Sequence, residues 1–138
     1  MRRNSISIYS YQMVNLLAAI VIISVIAFSA LFDSQGDYLV ECVHVSSMGS
    51  ECSTCGLTRS FSEMTRGEFH SASLYNRNGP LLFVFFVAQL VLRAFAAITL
   101  INIRQGKKAP PFNTLVYSDS TVSLLLFLVC FRHLLVFW

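Results

Sequence analysis

Three long apolar runs leave this chain few folds to choose from. Met13–Phe32 is 20 residues without a charge. Leu81–Ile103 is a second run, broken only by Gln89 and Arg93, and Thr121–Trp138 is a third, broken by Arg132 and His133. A helix rising about 1.5 Å per residue needs roughly 20 residues to cross about 30 Å of hydrocarbon. All three runs qualify, the third only just. In lipid each backbone amide must be satisfied within its own segment, so helices are the expected form. The expected fold class is an all-α membrane protein with three transmembrane helices, at about 13–32, 81–103 and 121–138. A partly helical, Cys-containing loop at 33–80 joins the first two. The whole chain, 1–138, reads as a single membrane domain.

Composition supports the class. Of 138 residues 55% are hydrophobic and 12% charged, against about 25% charged in a soluble domain. The net charge of +3 is small, and no basic stripe is interleaved with aromatics, which argues against nucleic-acid binding. Arg2 and Arg3 before the first run, with Ala27-Phe28-Ser29 near its end, resemble a secretory signal. The apolar stretch is longer than such a signal needs, and a retained span is expected.

Charge sets an expected orientation. Arg2, Arg3, Arg104, Lys107 and Lys108 flank one side of the spans, whereas the 33–80 loop holds Arg59, Arg66 and Arg77 together with six of the seven acidic residues. The positive-inside rule then places the N-terminus and the second loop in the cytoplasm. The Cys-bearing loop and the C-terminus would then face outward, into the periplasm or exterior if the host is bacterial.

The 33–80 loop is too polar to span and too patterned to be a linker. Leu57, Phe61 and Met64 recur at helical spacing and Gly67 is a natural stop. Phe69, Ala72 and Leu74 or Tyr75 suggest a second short amphipathic turn, ended by Asn76-Arg77-Asn78-Gly79-Pro80. Such helices would bury their apolar faces in the headgroup zone or against the bundle. The 104–118 connector, with Gly106, Pro110 and Pro111, reads as a plain loop.

Three of the four cysteines fall in this loop, as Cys42-x9-Cys52-x2-Cys55, with His44 close by. Three readings are open. In a Cys-x-x-Cys pair one sulfur can attack a mixed disulfide formed by the other, and an outward-facing loop sits in an oxidising compartment. Alternatively Cys42, His44, Cys52 and Cys55 could form a Cys3His zinc site, with His70 as a substitute ligand. The third reading is that the cysteines only pack as small hydrophobes. Cys130, inside the third run, is expected to pack.

The pattern Cys42-x6-Gly49-x2-Cys52-x2-Cys55-Gly56-x-Thr58-Arg59, followed by a short helix, Gly67-Glu68-Phe69 and the turn at Asn76, resembles the DUF2752 family of small bacterial integral membrane proteins. Ser53 and Arg77 stand where that family carries proline. The resemblance covers about 40 residues and the flanking spans. It implies a membrane setting and a functional motif, and names no reaction.

Arg59 falls in the first turn of the proposed loop helix beside Thr58. Its guanidinium could clamp a carboxylate, a phosphate or a partner, or pair internally with Glu63 four residues on. In the spans, Gln89 and Arg93 share one helix face, and Arg132 and His133 interrupt the third run. Arg93 and Arg132 are expected at similar depth. With no acid inside any expected span, Arg93 needs a loop carboxylate such as Asp33 or Asp119, a lipid phosphate reached by snorkelling, or another protein.

No Gly-rich phosphate loop, Gly-x-Ser-x-Gly turn, paired intramembrane carboxylates or His-x-x-x-His spacing occurs in the sequence. The expected role is non-enzymatic: an accessory or assembly subunit of a larger membrane complex, whose partners are the bilayer and other membrane subunits. The alternatives are thiol-redox or metal-binding chemistry at Cys42, Cys52 and Cys55, and an oligomeric transporter or channel component built on Arg93 and Arg132.

Overall fold

The computed structural model describes residues 2–31 and 54–136, with side chains at 8–31 and 54–132. Among the described residues the chain forms five helices and no strand. They are α1 (Arg2–Leu31), α2 (Leu57–Arg66), α3 (Phe69–Tyr75), α4 (Gly79–Arg104) and α5 (Phe112–Val136). Within them, Ile8–Leu31, Gly79–Arg104 and Phe112–Arg132 are long and apolar enough to cross a membrane. The expected three-span fold with an intervening loop is what the chain adopts.

The boundaries follow local chemistry. α4 stops at a left-handed glycine, Gly106 at φ 66°. There the Lys107 N–H reaches the Asn102 carbonyl at 3.0 Å and the Gly106 N–H reaches Ile103 at 3.2 Å, a Schellman arrangement that satisfies the last carbonyls. Pro110 and Pro111 cannot sit inside a helix. α5 therefore starts immediately after them, the Pro111 carbonyl accepting from the Leu115 N–H at 3.2 Å. The third helix thus begins nine residues before the expected Thr121. The polar stretch Thr114–Ser120 hid its first turns from an apolar-run criterion, and this extension carries Asp119 into a span.

Two compact units make up the chain. One comprises Met1–Ser24 and Phe85–Arg132. In it α1 and α4 run antiparallel: Tyr9 stacks beneath the Arg104 guanidinium at 4.5 Å, and Asn15, further along α1, meets Arg93, further back along α4. α4 and α5 are joined by Phe85, whose ring meets Phe131 edge-on at 5.3 Å while Phe131 stacks on Phe127 at 4.5 Å. Such pairs add about 0.5–1.5 kcal/mol beyond area burial. Ala96, Leu100 and Leu115 are buried.

The other unit comprises Val25–Val84 and His133–Trp138, and its described core is an α2–α3 hairpin on the first turns of α4. α2 ends at Gly67, also left-handed at φ 84°, with the Glu68 N–H on the Glu63 carbonyl at 3.0 Å. The stop expected at that glycine is the one used. Phe61 packs edge-on against Phe83 of α4 at 5.4 Å, and Ala72 of α3 is fully buried.

Candidate functional site

Two places concentrate polar side chains. The first lies within the spans. Arg93 occupies the middle of α4, 11 residues before Arg104 and so about 16 Å from that end. Its Nη2 donates to Asp119 Oδ1 at 2.6 Å and to Ser123 Oγ at 2.9 Å. Ser123 in turn donates to Gln89 Oε1 at 3.3 Å. The Tyr11 hydroxyl donates to the other Asp119 oxygen at 2.7 Å, and Asn15 Nδ2 donates to the Arg93 backbone carbonyl at 3.0 Å. Six side chains from α1, α4 and α5 therefore form one connected network.

Helical periodicity builds this network. Gln89 and Arg93 lie one turn apart on α4, and Asp119 and Ser123 one turn apart on α5, so two polar stripes face each other. The Arg93 and Asp119 side chains are 12% and 8% exposed, so the pair is desolvated and its charges cancel locally. Removing water from two ions is expensive, and the compensation comes from good geometry with extra hydrogen bonds on both partners. Asn15 Oδ1 and Arg93 Nε find no hydrogen-bond partner among the described residues.

Sequence reasoning reached part of this. Asp119, one of the candidate carboxylates, is the partner of Arg93, but it pairs from inside a span rather than from a loop. The expectation that no span contains an acid is corrected accordingly. Arg132 does not share the depth of Arg93. It lies nine residues beyond Ser123 on α5, about 14 Å further along that helix. Tyr11, Asn15 and Ser123 were missed. The i, i+4 pairing of Asp119 with Ser123, matched to that of Gln89 with Arg93, was the signal that could have found them.

The second place is the α2–α3 hairpin. Gly56 precedes α2 in the left-handed region at φ 75°, and a Cβ there would strike the Tyr75 backbone carbonyl. Glycine is therefore needed twice, for its φ and for its lack of a side chain. Asn76 Nδ2 donates to the Cys55 carbonyl at 2.9 Å, while its Oδ1 accepts from the Asn78 N–H at 2.9 Å. The asparagine, 8% exposed, thus ties the entrance of α2 to the exit of α3. Gly79 presses on Ser60, whose buried Oγ finds no partner among the described residues. Cys55 is half-buried in the turn, Thr58 half-buried and Arg59 exposed in the first turn of α2. Glu63 lies 3.8 Å from Arg66.

Of the proposed cysteine or metal ligands, Cys42, His44 and Cys52 lie outside the described residues, as do Asp33 and the side chain of His133. Among the described residues no three His, Cys, Asp or Glu side chains are grouped to hold a metal ion. Cys130 is buried in α5.

Residues 42–90 match the model of the family described as protein of unknown function (DUF2752). The matched stretch supports kinship with that family. It contains the whole hairpin and Gln89 and stops before Arg93. No curated protein and no solved structure matches the chain.

Proposed function

We propose that this small membrane protein is a non-enzymatic accessory or assembly subunit of a larger membrane complex. One observation carries the reading: only 17% of each spanning window is buried within the chain. Val14, Leu17 and Val21 on α1, Val91, Phe95 and Ile98 on α4, and Leu125 and Val129 on α5 point outward. Most of the span surface is thus available to lipid or to neighbouring spans. The Arg93–Asp119 pair supplies the polar cohesion that so thin an apolar core lacks. The spans serve as an anchor, and the Cys-bearing segment is the extramembrane contact. Charge distribution favours the N-terminus in the cytoplasm and the 33–80 loop and C-terminus outside; the likeness to DUF2752 favours a bacterial inner membrane.

A photo-crosslinking amino acid placed at Val91, Ile98 or Leu125 tests this in native membranes. A subunit gives a discrete protein adduct from one of these faces. Adducts with lipid alone from all three contradict the proposal.

A second reading is thiol or metal chemistry, favoured by the position of Cys55 in a turn held by Asn76 and partly open to solvent. Retention of full cellular function after Cys52→Ser with Cys55→Ser would remove it.

A further inference from the structure

We infer that α3 is an interfacial helix lying in the headgroup zone of the same bilayer, with Phe69 and Leu74 inserted at the acyl boundary. The tether comes first. α3 ends at Tyr75 and α4, which is apolar enough to span from its first residue, begins at Gly79. Four residues reach at most about 14 Å, so the end of α3 stays close to the end of a helix long and apolar enough to span.

Docking narrows the position further. α2 is held against the first turns of α4 by the Phe61–Phe83 ring contact at 5.4 Å and by the contact of Ser60 with Gly79. Phe83 lies four residues into α4, so Phe61 packs beside the first turns of that helix. α3 is fixed to this platform by its buried Ala72 and by the Asn76 bond to Cys55. α3 exposes Phe69 at 65% and Leu74 at 75% at the two edges of its outward arc. In water these would be two large apolar groups without cover. On the same unit Leu81 and Val84 of α4 are also exposed. Lipid beside the first turns of α4 is the simplest occupant for Phe69 and Leu74 as well. Arg77, exposed and two residues before α4, suits the phosphate level, where a long cationic side chain can keep its head hydrated. The exposed His70 and Ser73 fall on the same arc as Phe69 and Leu74, polar positions that a helix at headgroup level keeps hydrated.

The test uses the full chain in phosphatidylcholine vesicles. Trp138, the single tryptophan, is replaced by Phe, and Leu74→Trp or Phe69→Trp is introduced at these exposed positions. The expected result is blue-shifted emission that loses most of its intensity with lipids brominated at a shallow acyl position, and less with deep bromination. Red emission quenched by aqueous iodide and not by brominated lipid overturns the inference, because α3 would then lie in water. Blue emission insensitive to both quenchers also overturns it, because a protein surface would be the occupant.

Discussion

Arg93 and Asp119 meet at 2.6 Å between two spans, and each is held by a second side chain, Arg93 by Ser123 and Asp119 by Tyr11. A carboxylate and a guanidinium satisfied in this way bind α1, α4 and α5 together without relying on apolar contact, which cannot distinguish a helix from lipid.

Removing one partner strands the other charge. Arg93→Leu or Asp119→Leu alone is expected to destabilise the bundle by about 3–5 kcal/mol, whereas the double variant recovers most of the loss. Unfolding of the four proteins in detergent, analysed as a double-mutant cycle, measures the coupling. Additive losses would mean that the pair contributes nothing jointly.

The two loop glycines should respond differently to alanine. Gly67→Ala meets nothing within 4 Å and faces only its positive φ, at about 1–2 kcal/mol. Gly56→Ala adds the strike against the Tyr75 carbonyl and should cost clearly more. Limited proteolysis of the hairpin in vesicles ranks the two. Equal protection would contradict the close approach.

Asn76→Asp keeps the acceptor for Asn78 and loses the donor to Cys55. A buried hydrogen bond left half-made costs about 1–3 kcal/mol. Hydrogen exchange at the Leu57–Arg66 amides should accelerate in this variant and leave the Gly79–Arg104 amides unchanged. Unchanged exchange in α2 would show that the Asn76 amide does not hold the hairpin.

Thiol labelling should separate the cysteines by burial. Cys55, half-buried in its turn, is expected to react with maleimide in the folded protein more readily than Cys130, 7% exposed. If Cys42, Cys52 or Cys55 labels only after reduction, a disulfide exists. If it labels only after a chelator, a metal is held. Labelling of all three in denatured protein with neither treatment leaves packing. The readout is the mass shift of the purified chain.

The apolar runs made the three spans legible, because a length near 20 residues and lipid's demand for internal hydrogen bonds permit little else. The loop helices were legible from Leu57, Phe61, Met64 and the stop at Gly67. The start of α5 was not, because Ser118, Asp119 and Ser120 read as connector until the helix is seen to begin just after Pro111. The network escaped for a related reason. A hydrogen bond from Tyr11 to Asp119 crosses 108 positions, and periodicity within one helix carries no information on which stripe faces which. The role of Asn76 was equally tertiary: its turn was visible, its bond back to Cys55 was not.

Native mass spectrometry of the complex extracted from its own membranes tests the central claim most directly. An accessory subunit is expected to leave the membrane in a discrete assembly, with this 15.5 kDa chain and at least one other membrane protein in fixed stoichiometry. A chain released only as the 15.5 kDa monomer, under conditions that keep other membrane complexes intact, would contradict the account.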